Sequence, residues 1–279
     1  MRDPLKTRGH WRASLRDADG WQEWRPAAGR YLSADLVEWG SITKGVVGTT
    51  ASMLLDSDRS LAWYAPEFRD ATYTIGDLIH HTSGLPRLPR SLRPKPLGDP
   101  YRATVGRPVD PADARPASAP GEFCYSNLGY ALLGAALDHT CGSWLAAVQE
   151  CVLDPAGITT ATVDPPPDRQ TVPTLWFGRP VEPWHLGGSP YAAAGGLWST
   201  FDDLCRYAEW ALGGTPEGNR TVSWQRDGGS VWINGEVRAS GAVVAAAEGV
   251  TVVVHSLAQT PHAADRIGAA LIRRALRYP

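Results

Sequence analysis

The sequence predicts an α/β (α+β) fold, in which an antiparallel sheet is flanked by helices and carries a helical, loop-rich insertion. The last third of the chain contains short β-branched runs separated by turn residues, which is typical of antiparallel strands. A hairpin pattern lies near the N-terminus, and helical patterns fill the region between. We therefore expect a single domain over residues 1–279. Residues 1–60 and 195–279 would form its α/β subdomain, and residues 61–194 the insertion.

The first half of the chain provides three of these elements. Residues 10–25 alternate loosely around an Asp-Gly pair, which predicts a hairpin. The string SITKGVVGTTASMLL has the apolar spacing of a helix, with Ser41 at or near its first turn. The segment TIGDLIHHTSGLP predicts a short helix from Thr74 that stops at Ser83-Gly84. Residues 86–120 contain nine prolines, so we expect a long surface loop that acts as a lid or packing loop, or docks an acidic partner.

The second half provides the remaining elements. Residues 127–142 predict a helix closed by Gly142, and STFDDLCRYAEWAL predicts another, with Thr200 and Asp203 at capping-box spacing. The runs SVWINGEV, ASGAVVAAA and GVTVVVHS predict strands, and AADRIGAALIRRALR predicts a closing amphipathic helix. The aromatic segment 175–188 would either wall a pocket or cover the core.

Composition and charge exclude several function classes. The formal net charge of −2 argues against a nucleic acid as the main partner. No run approaches the roughly 18 apolar residues of a spanning helix, so no membrane association is expected. The charged N-terminal residues do not resemble a signal peptide, which favours a cytoplasmic location. The cysteines lack metal-type pairing, so we expect reduced thiols and predict no metal or cofactor; they are Cys124, Cys141, Cys151 and Cys205.

Ser41 and Lys44 form the first candidate for chemistry. The chain holds 3 lysines against 24 arginines, so a lysine three residues after a serine stands out. Residues three apart on a helix lie on the same face. A partly buried lysine can lower its pKa and accept a proton, which an arginine cannot do. Lys44 would then activate Ser41 as a nucleophile. The alternative is a helix-capping serine beside a solvated lysine.

Tyr125 and Asn127 form the second candidate, within PGEFCYSNLGY. One residue separates them, so in an extended segment their side chains project to the same side. A tyrosine near an ammonium loses its proton more easily and can relay protons. The Asn127 amide suits orienting the lysine and holding a substrate carbonyl. The alternative is a core tyrosine and a helix N-cap.

Four segments carry a family resemblance, and they occur in the order GSITKG, LIHHTSGLP, PGEFCYSNLGYALLG and AAGGLWSTFDDLCRYAEW. Together they resemble the class C β-lactamase family, which also includes D,D-peptidases and esterases. The resemblance runs from about residue 32 to residue 212. It implies a β-lactamase/penicillin-binding-protein-like fold. It also implies that Ser41 is the acylated nucleophile, that Lys44 is its partner, and that Tyr125 and Asn127 are the second catalytic element.

The family's third element is a strand that carries Lys or His, a small residue and then Gly. The best match to this pattern is Arg226-Asp227-Gly228, which departs from it because Arg226 cannot shuttle protons and Asp227 adds a negative charge. Arg226 would hold a substrate carboxylate, and the N–H groups of Gly229 and Ser41 would form the oxyanion hole. The alternative is a plain Asp-Gly hairpin turn.

These residues favour a serine acyl-enzyme hydrolase that acts on a small amide, lactam or ester. The absence of a G-x-S-x-G motif disfavours an α/β-hydrolase site. Two alternatives remain open. An intracellular enzyme could pass the acyl group to an acceptor amine or alcohol, or trim peptides, and the altered third element would also suit a non-catalytic ligand-binding domain. The expected partner is a small-molecule acyl substrate.

Overall fold

The computed structural model describes residues 4–6, 10–24, 31, 35–92, 98–174, 178–214, 218–238, 240–258, 260 and 262–277. Within these ranges an antiparallel sheet of six strands has the order β2-β1-β8-β7-β6-β5. A second sheet pairs two short strands, β3 and β4. The strands are β1 Trp11–Asp17, β2 Gly20–Trp24, β3 Leu36–Glu38, β4 Trp198–Thr200, β5 Gln225–Asp227, β6 Ser230–Glu236, β7 Gly241–Ala247 and β8 Val250–Ser256.

The α-helices vary from four to fifteen residues. They are α1 Thr43–Leu54, α2 Leu61–Tyr64, α3 Ile75–Ile79, α4 Asn127–Cys141, α5 Trp144–Val148, α6 Ala192–Gly195, α7 Phe201–Leu212 and α8 Ala263–Arg277. Short 3-10 helices occupy Pro4–Lys6, Gly40–Ile42, Pro66–Phe68, Arg90–Leu92, Arg102–Thr104, Pro111–Asp113 and Pro167–Arg169, and Gln149–Leu153 is a π-helix. No described helix is both long and apolar enough to cross a membrane.

The predicted α/β sheet, with strands from both ends of the chain, is confirmed. Residues 11–24 form the predicted hairpin, and β1 pairs along its other edge with β8. The valine runs of β7 and β8 are buried on both faces of the sheet. Val243 and Val254 pack in a small core with Ile267 of α8, whereas Val244 and Val253 join the main core. Consecutive apolar residues are expected where both faces of a strand are covered.

The helical region packs around α1, whose residues Thr43 to Ala51 are all buried. The predicted helix 127–142 is confirmed as α4, and it ends at Gly142 with a φ of 81° that favours glycine. The helix predicted after Thr74 is shorter than expected, because α3 ends at Ile79. The described residues of the proline-rich segment 86–120 form no α-helix or strand, as the proline content predicts, and their only helical elements are short 3-10 helices.

Candidate active site

Ser41 lies in the 3-10 turn that leads from β3 into α1. Gly40 has a φ of 52° there, a left-handed conformation that glycine adopts at little cost. Trp39, the residue before Gly40, is fully buried, and its N–H donates to the Leu197 carbonyl. The nucleophile candidate is therefore held by backbone on a rigid turn at the edge of the core.

The structure brings Ser41, Lys44 and Tyr125 together. The Lys44 Nζ donates to Ser41 Oγ at 3.1 Å, and Ser41 Oγ lies 2.5 Å from the Tyr125 hydroxyl oxygen. The Lys44 ammonium also donates to the Ala194 carbonyl and lies 4.9 Å from the centroid of the Tyr125 ring. Only 2% of Lys44 is exposed, so this lysine is not the solvated side chain of the alternative hypothesis.

Burial lowers the pKa of Lys44 below its usual value of 10.5, because a buried ammonium loses its hydration. Burial by itself would raise the pKa of Tyr125. The Lys44 charge and the hydrogen bonds from Lys44 and Ser41 outweigh that effect, and the pKa of Tyr125 is lowered. Both pKa values are thus lowered toward neutral pH, the direction that favours proton exchange with Ser41.

Asn127 begins α4, and the preceding Ser126 caps the helix by accepting from the Gly129 N–H. The Asn127 amide nitrogen donates to the Tyr101 hydroxyl at 3.0 Å. Its carbonyl oxygen Oδ1 is buried and has no hydrogen-bond partner among the described residues. The structure therefore places Asn127 at the cavity that contains Ser41, where its amide donates to Tyr101 and its Oδ1 accepts no hydrogen bond from Lys44. The N-cap role that the alternative hypothesis gave to Asn127 belongs to Ser126.

His81 holds the face of Tyr125, and the sequence reasoning did not assign it a role. Its ring lies 4.6 Å from that of Tyr125 and 5.2 Å from that of Tyr130, and its Nδ1 accepts from the Ser126 N–H. Burial and the Lys44 charge lower the pKa of His81 to about 3, so the imidazole is neutral. His81 has a φ of 61°, which is uncommon outside glycine. The HHTSG string contained this residue but gave no indication of its contacts.

Strand β6 lies against the Ser41 turn through Gly235. A Cβ atom on Gly235 would lie 2.0 Å from the Trp39 carbonyl oxygen and 2.6 Å from the Ser41 nitrogen. Only glycine fits such an approach, and a glycine inside a strand is a known sequence signal for it. The predicted strand SVWINGEV contained that signal, which the sequence reasoning missed.

The Glu236 N–H faces the same turn. The Val237 N–H donates to the Ser240 carbonyl across the β6–β7 hairpin. Because N–H directions alternate along a strand, the Glu236 N–H points to the opposite edge of β6. The pairing of β5 with β6 stops at Trp232, so that edge is open beside Gly40, where an added Cβ would lie 3.2 Å from the Glu236 nitrogen. The N–H groups of Glu236 and Ser41 are thus placed to stabilise an oxyanion together.

The prediction that Arg226, Asp227, Gly228 and Gly229 form the third element is corrected by this geometry. Residues 228 and 229 form the turn between β5 and β6, with φ values of 50° and 83°. Gly229 is six residues from Gly235, or about 20 Å along an extended strand. Arg226 donates to the Thr221 hydroxyl and does not line either cavity that contains Ser41. The Asp-Gly hairpin, which was the alternative, is what the structure contains.

Ile233-Asn234-Gly235 lies where the third element was expected. Ile233 takes the first position and is 5% exposed. A Cβ on Gly45 would lie 2.9 Å from Ile233 Cδ1, so this side chain packs on α1 next to Lys44. An aliphatic residue therefore stands where the family pattern has Lys or His.

Two cavities meet at Ser41. The small cavity, of about 170 Å³, also contains Lys44 and Tyr125. Its other lining residues are Ile79, His80, His81, Phe123, Val222, Ser223, Trp224, Gln225, Ile233 and Asn234.

The large cavity, of about 1060 Å³, lies on the Asn127 side of Ser41. Among its lining residues are Arg87, Tyr101, Trp184, Gly235 and Glu236. Trp184 belongs to the aromatic segment 175–188, whose residues 175–177 lie outside the described part. A substrate that crosses Ser41 would place one half in each cavity.

Comparison with solved structures shows the same fold in several proteins. A class C β-lactamase from Rhodobacter sphaeroides has a TM-score of 0.75 and 20% identity, covering 96% of this chain and 95% of that chain. A β-lactamase/D-alanine carboxypeptidase from Pseudomonas syringae has a TM-score of 0.72 and 18% identity, covering 96% and 94%. SurE with D-Leu has a TM-score of 0.68 and 21% identity, covering 97% and 71%. No curated protein matches the sequence significantly.

Sequence comparison gives the same family as the fold. The profile of the family described as Beta-lactamase matches residues 6–277, which is nearly the whole chain. With its β-lactamase-like sheet and helices, the chain belongs to the beta-lactamase family.

Proposed function

We propose that the protein is a serine acyl-enzyme hydrolase that cleaves esters with a small, uncharged leaving group. The observation that carries this proposal is the contact of Ser41 Oγ with both the Lys44 ammonium and the Tyr125 hydroxyl. A serine is a weak nucleophile unless an adjacent group accepts its proton. Lys44 and Tyr125 have pKa values lowered toward that task.

The reaction has two steps. Ser41 Oγ attacks the substrate carbonyl carbon, and its proton passes to the Lys44–Tyr125 pair. The N–H groups of Ser41 and Glu236 stabilise the oxyanion. The carbon–oxygen bond to the leaving group then breaks, and Tyr125 gives the proton to the departing oxygen. In the second step water attacks the acyl carbon and gives one proton to the same pair. The bond from that carbon to Ser41 Oγ breaks, and the pair returns the proton to Ser41 Oγ, so that the acid is released and Ser41 is free again.

The small cavity indicates the leaving group. Because Tyr125 returns the proton to the leaving group, that half of the substrate lies on the Tyr125 side of Ser41. Among the described lining residues the ammonium group is that of Lys44, which is committed to Ser41, and the imidazole of His80 is exposed to solvent. Ile233 offers no charge. β-Lactams and peptides ending in a D-amino acid carry a carboxylate on the leaving half, so an ester of a neutral alcohol fits this cavity better.

Covalent labelling tests the nucleophile. Wild-type protein incubated with a fluorophosphonate should gain one adduct by intact mass, and Ser41→Ala should gain none. Ser52→Ala is a matched control on the same helix, since its hydroxyl bonds only the Thr49 carbonyl among the described residues. The proposal fails if wild type remains unlabelled, or if Ser41→Ala is labelled like wild type.

Ester substrates test the leaving group. Phenyl hexanoate should be hydrolysed with a higher kcat/KM than 4-carboxyphenyl hexanoate, because the leaving group of the second ester would place a carboxylate in the small cavity. A preference for the carboxylate would contradict the cavity assignment. Chromatography of products formed with a high concentration of an added amine decides between water and an amine as the acceptor.

A further inference from the structure

We propose that Arg87 binds an anionic group, such as a carboxylate, on the acyl half of the substrate. This assignment rests on the proposed acyl-enzyme function, because it places the acyl half in the large cavity. The leaving half occupies the small cavity beside Tyr125, so the acyl half must extend from Ser41 along Asn127 and Gly235. Arg87 lines that cavity.

The main chain of Arg87 is fixed at the start of α4. Its carbonyl oxygen accepts from the N–H groups of Asn127 at 3.0 Å and Leu128 at 3.3 Å. Its guanidinium carbon lies 5.6 Å from the centroid of the Tyr125 ring, and the hydroxyl of that ring lies 2.5 Å from Ser41 Oγ. An anion bound by Arg87 would therefore be only a few bonds from the scissile carbonyl.

The side chain of Arg87 is available to bind a ligand, whereas other charged side chains of the cavity already contact groups of the protein. Its side chain is exposed, and no carboxylate of the described residues forms an ion pair with it. By contrast, Arg238 donates to the Glu182 carbonyl, and Glu236 is close to His262. A planar guanidinium can hold a carboxylate through two parallel hydrogen bonds, which adds geometric selection to the attraction.

Two side chains that line the same cavity also carry a buried polar atom that lacks a partner among the described residues. These atoms are the acceptor Oδ1 of Asn127 and the donor Nε1 of Trp184. Tyr101 connects the two side chains, because it accepts from Asn127 and its ring lies 5.7 Å from that of Trp184. Buried polar atoms normally have a partner. Asn127, Tyr101 and Trp184 therefore give the cavity wall a polar character near Arg87, which suits an acyl half that carries a charged group.

The resulting distribution of charge is specific. The acyl half, which lies beside Arg87, carries the anion. The leaving half, which lies beside Ile233, is neutral. Monoesters of dicarboxylic acids have this arrangement. They are the substrate class that the two cavities select together.

The test compares two esters with acyl chains of six carbons, 4-nitrophenyl hydrogen adipate and 4-nitrophenyl hexanoate. The measured quantity is the ratio of their kcat/KM values, corrected for uncatalysed hydrolysis. In Arg87→Met the adipate-to-hexanoate ratio should fall at least tenfold, and in Arg87→Glu it should fall further. Arg87→Lys should keep part of the preference, since the charge remains but the bidentate geometry is lost. Added salt should lower the wild-type ratio.

Arg90→Met is the matched control, since Arg90 is an exposed arginine on the same segment that lines neither cavity. Its ratio should equal that of wild type. An unchanged ratio in Arg87→Met and Arg87→Glu, with Ser41-dependent turnover of hexanoate intact, overturns the Arg87 assignment alone. Absence of Ser41-dependent turnover of both esters refutes the proposed function, and the Arg87 assignment with it.

Discussion

Gly235→Ala should disable the site without touching any side chain that reacts. The added Cβ would lie 2.0 Å from the Trp39 carbonyl oxygen and 2.6 Å from the Ser41 nitrogen, and both are backbone atoms that cannot rotate away. Contacts of a Cβ are essentially never shorter than 3.0 Å. The strand and the Ser41 turn must therefore separate by about 1 Å for the methyl group to fit.

The structure allows the cost of this separation to be estimated. Overpacking by one methyl group costs roughly 1–3 kcal/mol in a rigid environment. In a chain of this size each kcal/mol lowers the Tm by about 2 °C, so the Tm should fall by about 2–6 °C. A displacement of about 1 Å between the nucleophile and its oxyanion donor costs about 100-fold in rate. The loss of kcat/KM should therefore be much larger than the loss of stability suggests.

The assay measures kcat/KM for 4-nitrophenyl hexanoate together with the Tm of each protein. Gly129→Ala is the control, because Gly129 is helical and an added Cβ would have only ordinary contacts, the nearest at 3.5 Å. This control should keep wild-type activity and stability. If Gly235→Ala turns over the ester within fivefold of wild type and keeps its Tm, strand β6 does not lie against Ser41 as described.

Three further predictions concern titrating groups. Lys44→Arg should lose at least 100-fold in kcat/KM, because arginine keeps the charge but cannot exchange its proton. Tyr125→Phe should lose about 10²- to 10⁴-fold, as expected when a proton relay is removed, and should slow fluorophosphonate labelling. Burial, partly opposed by the Ser240 hydrogen bond, raises the pKa of Glu38 from 4.5 to about 7, which penalises the folded state as pH rises from about 4.5 to 7. Glu38→Gln should therefore raise the Tm relative to wild type at pH 8 and by much less at pH 5, with about 3 kcal/mol gained at the higher pH.

Each of these predictions has a contrary outcome. Turnover by Lys44→Arg within a few-fold of wild type would overturn the role of Lys44 as a proton carrier. Unaltered labelling and turnover in Tyr125→Phe would remove the phenol from the mechanism. A Tm difference between Glu38→Gln and wild type that stays constant from pH 5 to pH 8 would show that the buried carboxyl does not titrate in that range.

Local signals were sufficient for much of the fold. Helix α4 was predictable because its apolar residues are continuous and Gly142 can adopt the left-handed conformation that ends it. Strands β7 and β8 were predictable because consecutive valines, joined by small apolar residues in β7, suit a strand covered on both faces. The closeness of Ser41 and Lys44 follows from helical spacing alone.

The position of the third element could not be predicted from its residue types. Arg226-Asp227-Gly228 resembles the family pattern in charge and in the position of glycine, whereas Ile233-Asn234-Gly235 keeps only the glycine. What places the second segment at the site is the approach of Gly235 to the Ser41 nitrogen, a contact between residues 194 positions apart. Likewise, the contacts of Tyr101 with Asn127 and of His81 with Tyr125 depend on how distant loops fold over the sheet.

The pairing of β1 with β8 has a consequence for how the protein emerges from the ribosome. Residues 11–17 leave the exit tunnel well before their partners at residues 251–256, which follow only after more than 230 others have been made. Until then the N-terminal hairpin has an unsatisfied edge that can pair with a neighbouring nascent chain. Because loop closure over such a distance is slow, the central sheet should be among the last parts to assemble.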